Sequence, residues 1–286
     1  MIQSMTGFGK ASLQLPTKKI TVEIKSLNSK GLDLNTRMPS VFREMELGLR
    51  NQISQRLERG KVDFSLYVEV TGEETTSKIN VPIIKGYINQ MKAVIPNADE
   101  TELMKMAVRM PDALKTERDE IDENEWKQIQ TVIDEALENI ANFRKDEGAS
   151  LEKEFQLRIS NINNLMNEAV SYDAERVETV KTRLRTALDE LQVNVDENRF
   201  EQELIFYLEK YDITEEKVRL GNHLSYFLET LNGTEANGRK LGFITQEMGR
   251  EINTMGSKSN HTEMQKLVVM MKDELEKIKE QVLNVL

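Results

Sequence analysis

The segment at residues 238–259 reads GRKLGFITQEMGREINTMGSKS and carries the polar side chains best suited to chemistry. Its apolar residues recur every three or four positions, which predicts an amphipathic helix; they are Leu241, Ile244, Met248, Ile252 and Met255. The other faces mix carboxylates, arginine, an amide and hydroxyls, whereas an ordinary solvated face is mostly Lys and Glu. Because Asn, Thr and Ser cost helix propensity, this mixture indicates a surface that binds a phosphate, a divalent metal or both.

Two carboxylates of this segment, Glu247 and Glu251, are four residues apart and project from one face of the predicted helix. Such a pair can share a hard cation such as Mg²⁺ or Mn²⁺. Arg250 lies beside them and can hold a phosphate through two parallel hydrogen bonds. The alternative is ordinary ion pairing among these three side chains, which helices use routinely. Spacing alone leaves both interpretations open.

A second constellation lies upstream, in another predicted helix. Glu216, Arg219 and His223 fall at offsets of three and four, so they share one face with Phe227. A carboxylate, a guanidinium and an imidazole side by side form a surface for proton transfer or metal binding. The alternative is a histidine at the helix surface or at an interface, without a chemical role. We interpret the neighbouring Asp212 as a helix cap, not as a ligand.

The composition bounds the class of protein. The 286 residues include no cysteine, which excludes disulfides and Cys-ligated zinc. With 39 Lys+Arg against 49 Asp+Glu, the net charge is −10. No apolar run approaches the roughly 20 residues of a membrane span, and the start MIQSMTGFGK lacks the basic and apolar regions of a signal peptide. We therefore expect a cytoplasmic protein with no membrane partner.

The acidic balance is unevenly distributed along the chain. Residues 17–61 hold ten Lys/Arg and five Asp/Glu, whereas residues 99–154 hold eight and seventeen. The amino-terminal part is therefore compatible with an anionic partner; chance clustering of charge is the alternative. No Walker, HExxH, GxSxG or dinucleotide-binding motif is present. ATP hydrolysis, serine hydrolysis and dinucleotide chemistry therefore have no support.

Residues 1–122 predict a compact α+β domain whose elements follow in the order β-β-α-β-α. Alternating apolar residues predict strands at 20–26 and 61–70, and a further strand at 2–15. Between them, apolar residues four positions apart predict a helix at 41–57.

Glycines and a proline mark the connections of this domain. Gly60 is the expected C-cap of the first helix. Gly7 and Gly9 in SMTGFGK allow either a phosphate-binding loop or, more commonly, a strand bulge. Residues 71–79 are typical of a polar connection, and Pro82 is expected to open a short helix.

The rest of the chain predicts helices only. Residues 123–195 form a long helical arm, interrupted at most near Gly148, because apolar residues recur at spacings of three and four. Residues 196–286 form an all-helical C-terminal domain with helices at 198–211, 214–231, 239–255 and 261–285. The predicted class is thus α+β, with an N-terminal α+β domain, a helical arm and a helical C-terminal domain. Because an isolated arm would expose an apolar seam, we expect a closed homo-oligomer.

Four blocks of the sequence resemble the YicC family, also called YicC/YloC-like endoribonucleases. They are SMTGFGKA at 4–11, EIKSLNSKGLDLNTRMP at 23–39, RGKVDFSLYVE at 59–69, and ITEEKVRLGNHLSYF at 213–227 taken with the 238–259 segment. The resemblance implies an N-terminal α+β domain, a helical C-terminal domain and a hexameric ring. It also implies divalent-metal-dependent cleavage of RNA, a place in bacterial RNA turnover, and other RNA-decay enzymes as further partners.

With this resemblance, the residues in the matched blocks acquire expected roles. Catalysis is expected of His223, Glu247, Arg250 and Glu251. Binding of Mn²⁺ or Mg²⁺ is expected of Glu216, Glu247 and Glu251. Contact with RNA is expected of Arg37, Lys61, Arg219, Arg239, Lys240 and Lys258. Which residue is the metal ligand, which the base and which only an RNA contact stays open.

The sequence departs from the family pattern at Gly242 and Gly249, where Asp and Asn are usual, and at Ser29, Lys30 and Asn222. If the usual Asp or Asn is a metal ligand in the family, this chain binds metal without that ligand. Our first hypothesis is an endoribonuclease for single-stranded or hairpin RNA. The second is a non-catalytic RNA-binding scaffold that presents RNA to another nuclease, and the third is a purely structural coiled-coil protein.

Overall fold

The computed structural model describes residues 2–71, 78–115, 123–190, 196–233 and 238–286, with the backbone only at 115, 173 and 174. Its strands are β1 (Gly7–Gln14), β2 (Lys18–Leu27), β3 (Leu32–Arg37), β4 (Gly60–Val70), β5 (Lys78–Ile79) and β6 (Leu114–Lys115). Its helices are α1 (Glu46–Leu57), α2 (Val81–Val94), α3 (Glu100–Ala107), α4 (Glu123–Ser171), α5 (Asp173–Glu190), α6 (Glu197–Tyr211), α7 (Thr214–Asn232), α8 (Gly238–Lys258) and α9 (Thr262–Val282). Most of the predicted connection at 71–79 lies outside the described residues.

A four-stranded sheet in the order β1-β2-β4-β3 forms the centre of the N-terminal domain. β1, β2 and β4 are antiparallel neighbours, and β3 runs parallel to β4. Because side chains alternate along a strand, Val22, Ile24 and Phe64 point to one face, where they are buried against α1 and α4. The other face carries polar and charged side chains. The expected α+β N-terminal domain is confirmed.

The helix predicted at 41–57 begins with a 3₁₀ turn, Ser40–Met45, and continues as α1. A 3₁₀ turn winds more tightly than an α-helix, so it does not continue the stripe of the α-helix back to Val41. Phe42 is buried instead, at 5% exposure, whereas Val41 is 37% exposed. The predicted start of the helical segment is therefore right, but the prediction that Val41 belongs to the buried apolar stripe is wrong.

The predicted C-cap of this helix is also wrong. Glu58 follows Leu57 as the C-cap, with a positive φ of 20°. Gly60 is instead the first residue of β4, with φ 130°, a backbone conformation that side chains other than glycine rarely adopt. The glycine thus provides the backbone conformation with which the chain enters β4.

Gly7 and Gly9 lie within β1, and their pairing with Ser26 and Ile24 of β2 is unbroken. A Cβ atom added at Gly9 would lie 2.2 Å from the carbonyl oxygen of Ala136 in α4. The glycine therefore lets the strand approach the helix backbone. Neither a phosphate-binding loop nor a bulge is formed here.

A small unit of α2, α3 and the β5–β6 pair follows the sheet in the chain. Pro82 lies in the first turn of α2, as predicted. Ile84, Ala107 and Ala113 form a separate small core. The sequence interpretation missed α3 and the two strands, because strands of two residues carry no periodic signal.

The 49-residue helix α4 contributes to two hydrophobic cores. Its amino-terminal half packs Ile133 and Ile140 against the sheet and α1. Its carboxyl-terminal half packs Phe155 and Ile159 against α7, α8 and α9. The long helix and the helical C-terminal domain are thus confirmed, and the apolar stripe of α4 is buried within one protomer.

The interruption that the sequence allowed near Gly148 does not occur, because α4 runs continuously to Ser171. A Cβ atom at Gly148 would lie 2.1 Å from the carbonyl oxygen of Ile2, so the glycine lets the N-terminal segment cross the helix. The interruption comes at Tyr172, after which α5 begins.

The four C-terminal helices agree with the predicted ranges to within a few residues. All five apolar residues of the α8 stripe are buried against the neighbouring helices. On α5, by contrast, Val180 is buried but Leu184 is only partly covered and Ala187 is exposed. The described side chains of α5 thus include no large apolar residue that is fully exposed. No helix in the described ranges is both long and apolar enough to cross a membrane.

Glu274 of α9 joins this helix to α4. Its Oε2 accepts hydrogen bonds from Arg158 Nη1 at 3.2 Å and Asn161 Nδ2 at 2.8 Å, and Lys277 binds Oε1. Burial raises the pKa of Glu274, but the hydrogen bonds from Lys277, Asn161 and Arg158 outweigh it and lower the pKa from 4.5 to about 2. A carboxylate with a lowered pKa in the folded state stabilises the fold above its unfolded pKa, and this stabilisation is lost as pH falls through the folded pKa.

We therefore expect Glu274→Gln to lower the free energy of unfolding by about 1–3 kcal/mol at neutral pH. The difference from the unsubstituted protein should shrink as pH falls from about 5 toward 2. Urea unfolding at several pH values, followed by far-UV circular dichroism, measures both. Glu276→Gln is the matched control, since Glu276 is exposed and pairs only with Lys279 within the described residues. A difference that stays constant with pH would contradict the assignment.

Candidate functional site

Helices α7 and α8 lie side by side in opposite directions. Near the start of α7, Glu216 Oε1 accepts a hydrogen bond of 2.8 Å from Nζ of Lys258, at the end of α8. Near the end of α7, the Tyr226 ring centroid lies 4.8 Å from Nζ of Lys240, at the start of α8. Residues between these contacts, on the facing flanks, form one strip of surface.

We call this strip the α7–α8 surface. From α7 it includes Glu216, Arg219, His223 and Tyr226, which are spaced at helical intervals on one flank. From α8 it includes Lys240, Phe243, Glu247, Glu251, Thr254 and Lys258, again at intervals of three and four. The strip gathers the two constellations that the sequence singled out separately. Arg250 adjoins it on the more exposed side of α8.

Ion pairs within single helices occupy part of this surface. Arg250 Nη1 lies 2.8 Å from Glu247 Oε1, and Arg219 Nη2 lies 2.5 Å from Glu215 Oε1. The pairing alternative is therefore present for Glu247, whereas Glu251 has no ion pair within the described residues. Exposed pairs of this kind contribute little stability, so either arginine can exchange its carboxylate for a phosphate at small cost.

The pair between Glu216 and Lys258 is different, because Glu216 is buried. Its Oε1 accepts from Lys258, while its Oε2 is buried without a hydrogen-bond partner in the described part of the chain. Removing either partner of a buried pair leaves an uncompensated charge. The predicted metal ligand Glu216 and the predicted RNA contact Lys258 thus bind each other in this protomer.

The described residues do not gather the three predicted metal ligands into one site. In these ranges, no three His, Asp or Glu side chains are grouped closely enough to hold a metal ion. Glu216 lies at the far end of the surface, bound to Lys258. The narrower pair Glu247 and Glu251 does fit, because Mg²⁺ is commonly held by one or two carboxylates together with water and substrate phosphates.

The histidines have separate environments. His223 is partly exposed on the α7 flank of the surface. His261 caps α9, since its Nδ1 accepts from the backbone N–H of Met264 at 3.4 Å, and its ring stacks on Tyr172. His223 is therefore the histidine available for chemistry on the α7–α8 surface.

Asp212 lies one residue before Ile213, the N-cap of α7, so the predicted cap position is wrong by one residue, although the Asp212 side chain does bind the first turn of the helix. Its Oδ1 accepts from the side-chain hydroxyl and the backbone N–H of Thr214, at 2.7 and 3.0 Å. These two hydrogen bonds lower the pKa of Asp212. The carboxylate is thereby committed to the start of α7, which agrees with its exclusion from the ligand set.

The two glycine departures lie away from the α7–α8 surface. A Cβ atom at Gly242 would lie 3.8 Å from Val282 Cγ1, and one at Gly249 would lie 3.4 Å from Leu275 Cδ2. Both positions therefore face α9, on the flank opposite to Glu247. The lack of a side chain at these two positions therefore does not alter the acidic and basic side chains on the α7 side of α8.

Arg37 and Lys61 form a second, separate group. They lie on the face of the sheet that points away from α4, at the end of β3 and the start of β4. Both side chains are exposed, and neither makes an ion pair within the described residues. From Ile133, under the sheet, to Ile159, under α7–α9, α4 extends about 40 Å. One protomer therefore does not bring these two residues beside the α7–α8 surface.

The remaining predicted RNA contacts lie at the start of α8. Arg239 and Lys240 are both exposed. Sequence reasoning missed their aromatic neighbours, Tyr226 and Phe243. A signal was available, because Phe243 falls outside the apolar stripe of α8 and is therefore expected to face solvent.

Both halves of the chain match models of one family. Residues 2–153 match the family described as "Endoribonuclease YicC-like, N-terminal region", and residues 169–286 match "Endoribonuclease YicC-like, C-terminal". The second match contains the whole α7–α8 surface.

Two relatives match along the full length. A protein of Clostridioides difficile named "Probable endoribonuclease YicC" is 33% identical over 293 residues, which cover 100% of each chain. A protein of Haemophilus influenzae with the same name is 29% identical over 287 residues, which cover 99% of each chain. With both halves matched and both sequences aligned from end to end, the chain belongs to the YicC-like endoribonuclease family.

Proposed function

We propose that this protein is an endoribonuclease that cuts single-stranded or hairpin RNA with the aid of Mn²⁺ or Mg²⁺. The observation that carries the proposal is the α7–α8 surface, which has His223 on its α7 flank and Glu247 and Glu251 on its α8 flank, with arginines at both edges. The relatives, named for this activity, support it. A role in RNA turnover beside other RNA-decay enzymes belongs to the same proposal.

The side chains of the surface divide the work by their chemistry. His223 serves as general base or general acid, because an imidazole nitrogen can both accept and donate a proton. Arg250 and Arg219 neutralise the charge that builds on the phosphate in the transition state. Glu247 and Glu251 hold the divalent cation. When bound there, the cation would polarise the phosphate or activate a water molecule.

The direct test is incubation of a labelled RNA hairpin with Mn²⁺ or Mg²⁺, with and without EDTA. We expect internal cuts that depend on added metal. Rigorous purification is essential, because a non-catalytic RNA-binding scaffold would bind the hairpin and leave it intact. A structural coiled-coil protein would not bind RNA even at low salt, where phosphate contacts are strongest. Either of these results would overturn the proposal.

We propose further that RNA contacts the basic residues of both groups, and this predicts a salt dependence. Lys61→Ala and Arg239→Ala should each weaken RNA binding and reduce the slope of log affinity against log salt by roughly one. Fluorescence anisotropy with labelled RNA at several salt concentrations measures both. Lys105→Ala is the control, since Lys105 lies in the acidic part of the chain and pairs with Glu102. Unchanged affinity and slope in both folded variants would remove these residues from the RNA path.

Assembly into a closed homo-oligomer, a hexamer by resemblance, is also proposed. Two large apolar side chains of α6, Ile205 and Phe206, are 55% and 60% exposed and support it. An interface between copies would remove such side chains from water. Light scattering at micromolar concentration should give about six times the chain mass of 33.0 kDa. A mass of 33.0 kDa would contradict the proposal.

A further inference from the structure

We infer that Tyr226 and Phe243 form a base-stacking site for single-stranded RNA at one end of the α7–α8 surface; this inference rests on the proposed function and names how that surface holds its substrate. Phe243 is 61% exposed, more than any other aromatic side chain in the described ranges, and Tyr226 is 44% exposed. Neither ring is needed for the core, because the apolar stripe of α8 is complete without Phe243.

The position of the two rings ties them to the groups proposed for the chemistry. Phe243 lies one helical turn before Glu247 on α8, and Tyr226 lies one turn after His223 on α7. A base stacked on either ring would therefore belong to a nucleotide beside the phosphate that faces His223 and Glu247.

The charge around the rings favours a nucleic acid as the occupant. Lys240 Nζ lies 4.8 Å from the centroid of the Tyr226 ring, and Arg239 precedes Lys240 at the start of α8. Aromatic rings that stack bases, beside cations that face the backbone, are the usual means by which proteins hold single strands. If the same surface of a second copy bound here, its cations would lie beside Lys240 and Arg239, and like charges repel each other. A second copy is therefore the less favourable occupant.

The test uses a short single-stranded RNA that carries one 2-aminopurine, whose fluorescence is quenched when it stacks. Phe243→Leu and Tyr226→Leu keep an apolar side chain but remove the aromatic face. We expect each to weaken binding roughly 5- to 150-fold and to reduce the quenching. The salt slope should stay unchanged, because no phosphate contact is lost. Tyr226→Phe should bind like the unsubstituted protein.

Phe143→Leu is the matched control, since Phe143 is 44% exposed, like Tyr226, but lies on α4 and not on α7 or α8. If the unsubstituted protein binds and cuts RNA while both leucine variants keep its affinity and quenching, the stacking inference alone is overturned. If the unsubstituted protein does not bind RNA, the proposed function fails together with it. Light scattering of the leucine variants checks their assembly. If their loss of affinity is accompanied by a smaller number of subunits, the rings serve an interface between copies and the inference is overturned.

Discussion

A protein that carries both Glu247→Gln and Glu251→Gln should bind RNA nearly as well as the unsubstituted protein and cut it about 100-fold more slowly or worse. The amides preserve the size of the side chains and their helix propensity but remove the two charges proposed to hold the cation. Because Arg250, which is exposed, is the one ion-pair partner of Glu247 among the described residues, the loss of this carboxylate should hardly affect folding. Single-turnover cleavage of a labelled hairpin, with anisotropy for binding, separates the two effects.

A matched control for this experiment exists on the next helix. Glu263 pairs with Lys266 at the same spacing of three residues, at 2.8 Å, and is exposed. Glu263→Gln therefore repeats the loss of a surface ion pair away from the α7–α8 surface and should leave cutting unchanged. Full cutting by the double variant would eliminate the metal role of the two carboxylates. Parallel loss of binding and cutting would assign them to RNA positioning.

Helices with a strong period were predictable from the sequence, and short or polar elements were not. The stripe of α8 was correct at every position, because burial against α4, α7 and α9 requires apolar residues on one face. The edge strand β3, with sequence LDLNTR, was missed because its residues alternate only between partly covered and exposed. Leu32 and Leu34 do alternate with Asp33 and Asn35, but the alternation of apolar and polar residues lasts only four residues, which is the lower limit of the strand signal.

Even inside a long helix, a tertiary contact to backbone groups can bury a residue that the apolar spacing does not predict. The apolar spacing along α4 predicts that Phe143, three residues after Ile140, is buried, but Phe143 is 44% exposed and the next residue, Arg144, is buried. The Arg144 guanidinium donates to the carbonyl oxygens of Met5 and Arg59 and to the hydroxyl of Ser26. Burial lowers the pKa of Arg144. Because two of its three partners are backbone carbonyls, residue types alone carry no sign of the arrangement.

The candidate site was predictable as a set of residues, but not as a geometry. The sequence could place Glu216, Arg219 and His223 on one face and Glu247 with Glu251 on another. It could not show that the ends of the two helices are joined by the Glu216–Lys258 pair, since that contact spans 42 residues of sequence. The resemblance supplied the residues, and the antiparallel packing of α7 on α8 supplies their order along one surface.

Replacing Gly9 by alanine should destabilise the N-terminal core by roughly 3 kcal/mol or more. A Cβ atom there would lie 2.2 Å from the carbonyl oxygen of Ala136 and 2.8 Å from the backbone nitrogen of Ile140. Both atoms belong to the backbone of α4, so no side chain can rotate away to relieve the contact. Either β1 separates from the helix, or it loses its pairing with β2.

The effect can be read from one fluorophore and compared with a second glycine. Trp126 is the chain's single tryptophan; it packs against the sheet core and stacks on Phe42, so its fluorescence in urea reports this core. Gly48→Ala is the control, because beyond its own helix no heavy atom of the described residues lies within 4 Å of its added Cβ. That change should stabilise α1 by about 0.5–1 kcal/mol, since alanine favours a helix over glycine. Equal urea midpoints for the two variants would mean that the contact between β1 and α4 is not the reason for the glycine at position 9.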